Sequence, residues 1–98
     1  MKKADAIARL KPLEHRLRER GISALYLFGS TARDEAGDTS DLDLLFETDP
    51  ACRFSLFDQA GIMIELSDQL ETKVDFVPRK ALKPYVRRHV ETDLVQVF

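Results

Sequence analysis

Histidine and cysteine are scarce in this chain of 98 residues, with two of the first and one of the second. A lone thiol, Cys52, excludes an intrachain disulfide and agrees with a reducing, cytoplasmic setting, where it is expected as a small buried or half-buried filler. Neither His15 nor His89 has a companion histidine or cysteine at ligand spacing, so both read as surface or helix-packing residues rather than zinc ligands. No apolar run approaches the ~18 residues of a membrane span. The opening MKKADAIARLKPLEHRLRER is charged and amphipathic where a signal peptide would have an apolar centre, so no membrane partner is expected. Glycine and proline, four of each, nowhere gather into a linker. With 44% hydrophobic residues, the length suits one domain of modest core over residues 1–98.

Net charge is also slight. A formal value of -2 gives no general attraction to a nucleic-acid backbone, so direct nucleic-acid binding is not expected. The distribution is uneven, however. Residues 1–33 carry 8 basic and 3 acidic side chains, residues 34–75 carry 2 and 12, and residues 76–98 carry 5 and 2. An acidic centre therefore lies between basic flanks.

Ile7, Leu10, Leu13 and Leu17 recur at spacings of three and four, which predicts an amphipathic helical region over about 4–20, divided by Pro12 and ended by Gly21. ISALYLF, residues 22–28, is uncharged and reads as a strand covered on both faces. Gly29 stops it, Ser30 is placed to cap a short helix TARDEA, and Gly37 to Ser40 form a loop. DLDLLFE, residues 41–47, alternates Asp41, Asp43, Leu45 and Glu47 with Leu42, Leu44 and Phe46, the second set facing a core. Ser55 and Asp58 make a capping-box-like start to a helix through about Leu70. Its apolar positions cover roughly 220° at 100° per residue, which fits either a protein interface around Met63 or a helix wedged between sheet and neighbour. KVDFV, residues 73–77, is a third strand, Pro84 opens a last helix, and LVQVF ends as a fourth strand. The expected product is an α/β (α+β) domain with a small mixed sheet of about four strands flanked by helices.

Aspartate is depleted in strands, and an unpaired acid beside apolar neighbours costs several kcal/mol. Asp41 and Asp43, two apart, project from one face and can reach a single divalent cation, and Asp75 can complete the set if its strand lies alongside. Oxygen ligands without His or Cys favour Mg²⁺ or Mn²⁺. A cation held by few carboxylates shares its coordination with substrate phosphates, for which Gly29 and Ser30 at a helix start are suited. The alternatives are ordinary ones: solvated acids at a strand end, an ion pair of Asp75 with Lys73 or a basic residue downstream, and a plain helix cap at Ser30.

Gly29-Ser30, ten intervening residues, Asp41-Leu42-Asp43 and then Asp75 resemble the signature of the DNA polymerase beta-like nucleotidyltransferase superfamily. Nearly the whole chain, in particular FGSTARDEAGDTSDLDLLFETDP and FSLFDQAGIMIELSDQLETKVDFVPRKALKPYVRRHV, is similar to the minimal nucleotidyltransferases often paired with HEPN-domain proteins. The resemblance implies that Asp41 and Asp43 bind the metals carrying ATP, that Asp75 binds the second Mg²⁺ and helps activate an acceptor hydroxyl, and that Gly29, Ser30, Arg33 and Ser40 serve the nucleotide. Arg33 falls on the family's Ala-Arg position and either contacts phosphate or braces the acidic strand. Asp34 stands where family members commonly have glycine.

By the same resemblance the chain is an antitoxin that transfers AMP from ATP to a tyrosine of an HEPN ribonuclease toxin, with which it forms a hetero-oligomer. A protein that neutralises this partner by contact alone is the second reading, and a transferase for RNA ends or a small molecule the third. Arg79, Lys80, Lys83, Arg87 and Arg88 form a basic segment that reads first as a solvated helix face and otherwise as one facing a nucleotide, an RNA or an acidic partner.

Overall fold

The computed structural model describes residues 2–33 and 41–98, and the side chains of these residues other than Ser30, Arg87 and His89. The loop 34–40, including the expected end of the helix TARDEA, Asp34 and Ser40, lies outside the described residues.

Helix α1 (Lys3–Leu10), a 3-10 turn (Lys11–Leu13) and helix α2 (Glu14–Glu19) form the first layer. Pro12 sits in the first turn of the 3-10 segment, where its missing N–H leaves no hydrogen bond unmade, so the helical path divides there without breaking. Ala6, Leu10 and Leu17 face inward. Gly21 then reverses the chain at φ 100° after its N–H has bonded to Arg18 O at 3.1 Å.

Strand β1 (Ile22–Phe28), the short helix α3 (Gly29–Ala32), strand β2 (Leu42–Thr48), helix α4 (Leu56–Leu70), strand β3 (Val74–Pro78), a 3-10 turn (Arg79–Ala81), helix α5 (Pro84–Glu91) and strand β4 (Val95–Gln96) follow. The expected alternation of helix and strand is present, and the sheet order is β3-β2-β1-β4. β1 runs antiparallel to β2 and β4, whereas β2 and β3 are parallel, as a crossover through α4 requires. A bulge between Ile22 and Ala24 lets Ile22, Leu25 and Leu27 all enter the core.

One core joins the helices to one face of the sheet through Leu25, Leu27, Leu42, Leu44, Phe46, Ile62, Leu66, Val74 and Phe76. Phe46 stacks on Phe76 with ring centroids 4.1 Å apart. α4 begins with the anticipated reciprocal cap: Ser55 N–H donates to Asp58 Oδ2 at 2.9 Å, and Asp58 N–H donates to Ser55 Oγ at 3.2 Å. Only part of its wide apolar arc is buried; Leu56, Phe57 and Ile64 are exposed.

The other face of the sheet carries a separate brace. Arg79 lies over the Tyr26 ring at 5.0 Å and bonds to Glu47 Oε1 and Glu91 Oε1, both at 2.8 Å. Of the basic segment, Arg79 is thus engaged by acids of this chain itself, while Lys80, Lys83 and Arg88 stay exposed. Cys52 is likewise exposed rather than a buried filler, because it falls in the turn after β2, with its N–H bonded to Asp49 O at 2.9 Å.

Candidate active site

The site forms where β1 ends and β2 and β3 begin. Phe28, the last residue of β1, is the register partner of Asp43, and Asp43 in turn pairs with Asp75 across the parallel β2–β3 ladder. Strand alternation turns Asp43 away from the core face occupied by Leu42 and Leu44, and it does the same for Asp75 between Val74 and Phe76. Two carboxylates thus come together from strands 32 positions apart because the ladder puts them level.

Gly29 closes the site from the third side. Its φ is 70°, a conformation that L side chains rarely adopt, and a Cβ there would strike Asp43 Oδ2. The absent side chain makes room for a carboxylate of this chain, a use additional to the phosphate approach anticipated from the sequence. α3 starts at Gly29 with Phe28 in the cap position, two residues earlier than expected, so Ser30 lies within the first turn instead of capping it. Ser40 lies outside the described residues.

Asp41 precedes β2, and its Oδ2 is 3.6 Å from Lys73 Nζ. The ion pair considered for Asp75 is therefore made by Asp41, because the backbone bond from Leu42 N–H to Lys73 O at 2.9 Å sets those two side chains adjacent. Arg33 Nη1 is 3.2 Å from Asp93 Oδ2, just beyond α5. Asp93 had no sequence signal, since 60 positions separate it from Arg33.

Electrostatics mark Asp43. Its pKa is raised to about 6 by burial, then by the charge of Asp75 and a hydrogen bond shared with it, and by Asp41, against a lowering pull from Arg33. A half-buried carboxyl crowded by two others is a place where a cation relieves repulsion. The donor set fits a hard divalent ion, being oxygen only. Among the described residues no three of His, Cys, Asp and Glu are already gathered as a metal cage, as Asp41 is turned to Lys73. The structure thus brings Asp43 and Asp75 together and leaves Asp41 beside them with a lysine partner.

A family model described as "Nucleotidyltransferase domain" matches residues 10–96. "Putative protein adenylyltransferase MJ0126" of Methanocaldococcus jannaschii is 35% identical over 78 residues, covering 78% of this chain and 76% of the relative. A solved structure called "Structure of putative minimal nucleotidyltransferase" superposes with a TM-score of 0.81 at 30% identity, covering 97% of this chain and 95% of the other. Two more share the fold: a toxin-antitoxin with AMP-PNP (TM-score 0.74, 22% identity, 92% and 72% covered), and a tri-AMPylated Shewanella oneidensis HEPN toxin in complex with MNT antitoxin (TM-score 0.64, 20% identity, 90% and 68% covered). With four strands in mixed order, a glycine turn and paired acids at the strand ends, this chain belongs to the nucleotidyltransferase domain family and is a nucleotidyltransferase.

Proposed function

We propose that this nucleotidyltransferase is an antitoxin that transfers AMP from ATP, with Mg²⁺, to a tyrosine of a cognate HEPN ribonuclease toxin. The observation that carries the reading is the level pairing of Asp43 with Asp75 against the backbone of Gly29. Asp41, Asp43 and Asp75 would hold the metal ions, two being expected, with Mn²⁺ an acceptable substitute. When bound, such ions supply charge stabilisation to the attacking and leaving oxygens of an in-line displacement.

The chain's own residues have distinct tasks. Gly29, Ser30, Arg33 and Ser40 bind and orient the triphosphate, and Asp75 accepts the proton of the acceptor hydroxyl. The phenolic oxygen bonds to the α-phosphorus as the bond from that phosphorus to the bridging oxygen breaks, and pyrophosphate leaves. Names of the similar proteins support the acceptor class: one is called a protein adenylyltransferase, and one structure holds an AMPylated HEPN toxin beside its MNT antitoxin.

A second reading, neutralisation by contact alone, is favoured by the exposed Leu56 and Phe57, which are 81% and 90% accessible. Intact-mass measurement of the HEPN-domain protein encoded by the adjacent gene separates the two. After incubation with this protein, ATP and Mg²⁺, it should gain one or more adenylyl masses. The Asp41→Asn/Asp43→Asn variant should give no gain and fail to silence the ribonuclease. Silencing by both proteins without any mass gain would establish the contact reading.

A further inference from the structure

An open groove lies away from the carboxylates, at the far ends of β2 and β3. Its volume is about 600 Å³, and its lining includes Phe46, Pro50, Phe54, Leu56, Pro78 and Lys80. From Asp43 to the rim residue Glu47 is four residues of β2, ~13 Å at ~3.3 Å per residue. A molecule confined to the groove therefore does not reach the carboxylates, and nucleotide chemistry leaves it unexplained.

Three features describe what fits. The floor is apolar and aromatic, with Phe46 and Phe54 tilted at 55° and 5.4 Å between centroids. Leu56, 81% exposed, and its neighbour Phe57, 90% exposed, extend the apolar surface beyond the groove over the first turn of α4. On the rim, the charge of Glu47 is met by Arg79 at 2.8 Å. Lys80 is exposed and has no ion-pair partner among the described residues, so it stands on the rim as an unmatched cation. Exposed apolar anchors beside an unmatched lysine complement an acidic protein segment that carries bulky apolar side chains.

Resting on the reading that the acceptor is an HEPN-domain protein, we infer that this groove docks it, through an acidic segment whose apolar side chains enter between Phe46, Phe54 and Leu56. Docking and chemistry then occupy opposite ends of β2. The acceptor hydroxyl must come from a part of the partner that extends along the sheet to Asp43 and Asp75.

The test is calorimetric binding of the HEPN-domain protein from the adjacent gene, combined with transfer kinetics. Leu56→Glu and Lys80→Glu alter exposed positions, and each should weaken binding by ~10-fold or more, the usual size for an interface anchor. Both should raise KM for the partner while kcat stays within ~2-fold. Ile64→Glu, on the same helix but outside the groove, should bind within ~3-fold of wild type. Circular dichroism verifies that all three variants are folded. Greater loss from Ile64→Glu than from Leu56→Glu would move the dock to the outer helix face and overturn the assignment, as would unchanged binding by both groove variants. Wild-type protein that binds without transferring AMP would remove the transfer reading and leave the dock. Wild-type protein that does not bind would remove the partner and the dock together.

Discussion

At Asp43 function and stability oppose each other. Because its folded pKa of about 6 lies above the unfolded value near 3.8, the folded protein binds more protons between those values. Metal-free protein therefore gains from this group as pH falls through 6 towards 4, and the penalty is fully present above 6. Asp43→Asn removes the repulsion from Asp75 and Asp41 at every pH. In EDTA the variant should be more stable than wild type at pH 7.5 by about 1 kcal/mol, a figure that allows for solvent screening of a half-buried group. The difference should vanish near pH 4 in paired thermal melts. Transfer should nevertheless fall by more than ~100-fold, as even outer-shell changes at metal sites cost 10–100-fold. Gly29→Ala tests the same contact from the other side: a left-handed φ and a Cβ against Asp43 should cost about 1–2 kcal/mol and reduce transfer. The two acids were legible in the sequence because alternation fixes which way they face. That Lys73 serves Asp41, and that Gly29 shelters a carboxylate, depends on ladder register, which no local pattern encodes.

Among the elements, α4 was the most legible because its start is chemically specific. Ser55 and Asp58 satisfy each other's backbone N–H groups, so Ser55→Ala should lower stability by about 1 kcal/mol and shift the denaturant midpoint without changing the slope. Strand ends were less certain: β2 and β3 each begin one residue later than alternation indicated. A period of two identifies faces but does not show where ladder bonds begin. The bulge at Ile22–Ala24 could not be read either, since an uncharged run carries no mark of which residue is extra. The amphipathic breadth of α4 was visible, but its division was not. Ile62, Leu66 and Leu70 go to the core while Leu56, Phe57 and Ile64 stay outside, a split decided by the helix's rotation on the sheet.

Across the whole molecule, the charge segregation seen in the chain becomes a polarity of the sheet. Asp41, Asp43 and Asp75 occupy one end of the parallel pair, and Lys80 stands near the other. ATP without a divalent cation brings several negative charges to the end already rich in carboxylates, with Arg33 engaged by Asp93. Nucleotide alone should therefore leave the melting temperature unchanged. AMP-PNP with Mg²⁺ converts repulsion into shared coordination and should stabilise by ~2.7 kcal/mol at a hundredfold excess over Kd. For a domain of this size that is an upward shift on the order of 10 °C or more. The Asp41→Asn/Asp43→Asn variant should show no such shift, although its own melting temperature without ligand is at least that of wild type. A shift with AMP-PNP in EDTA would mean that backbone and Arg33 bind the triphosphate unaided, and that the carboxylates hold their metal for the chemistry alone.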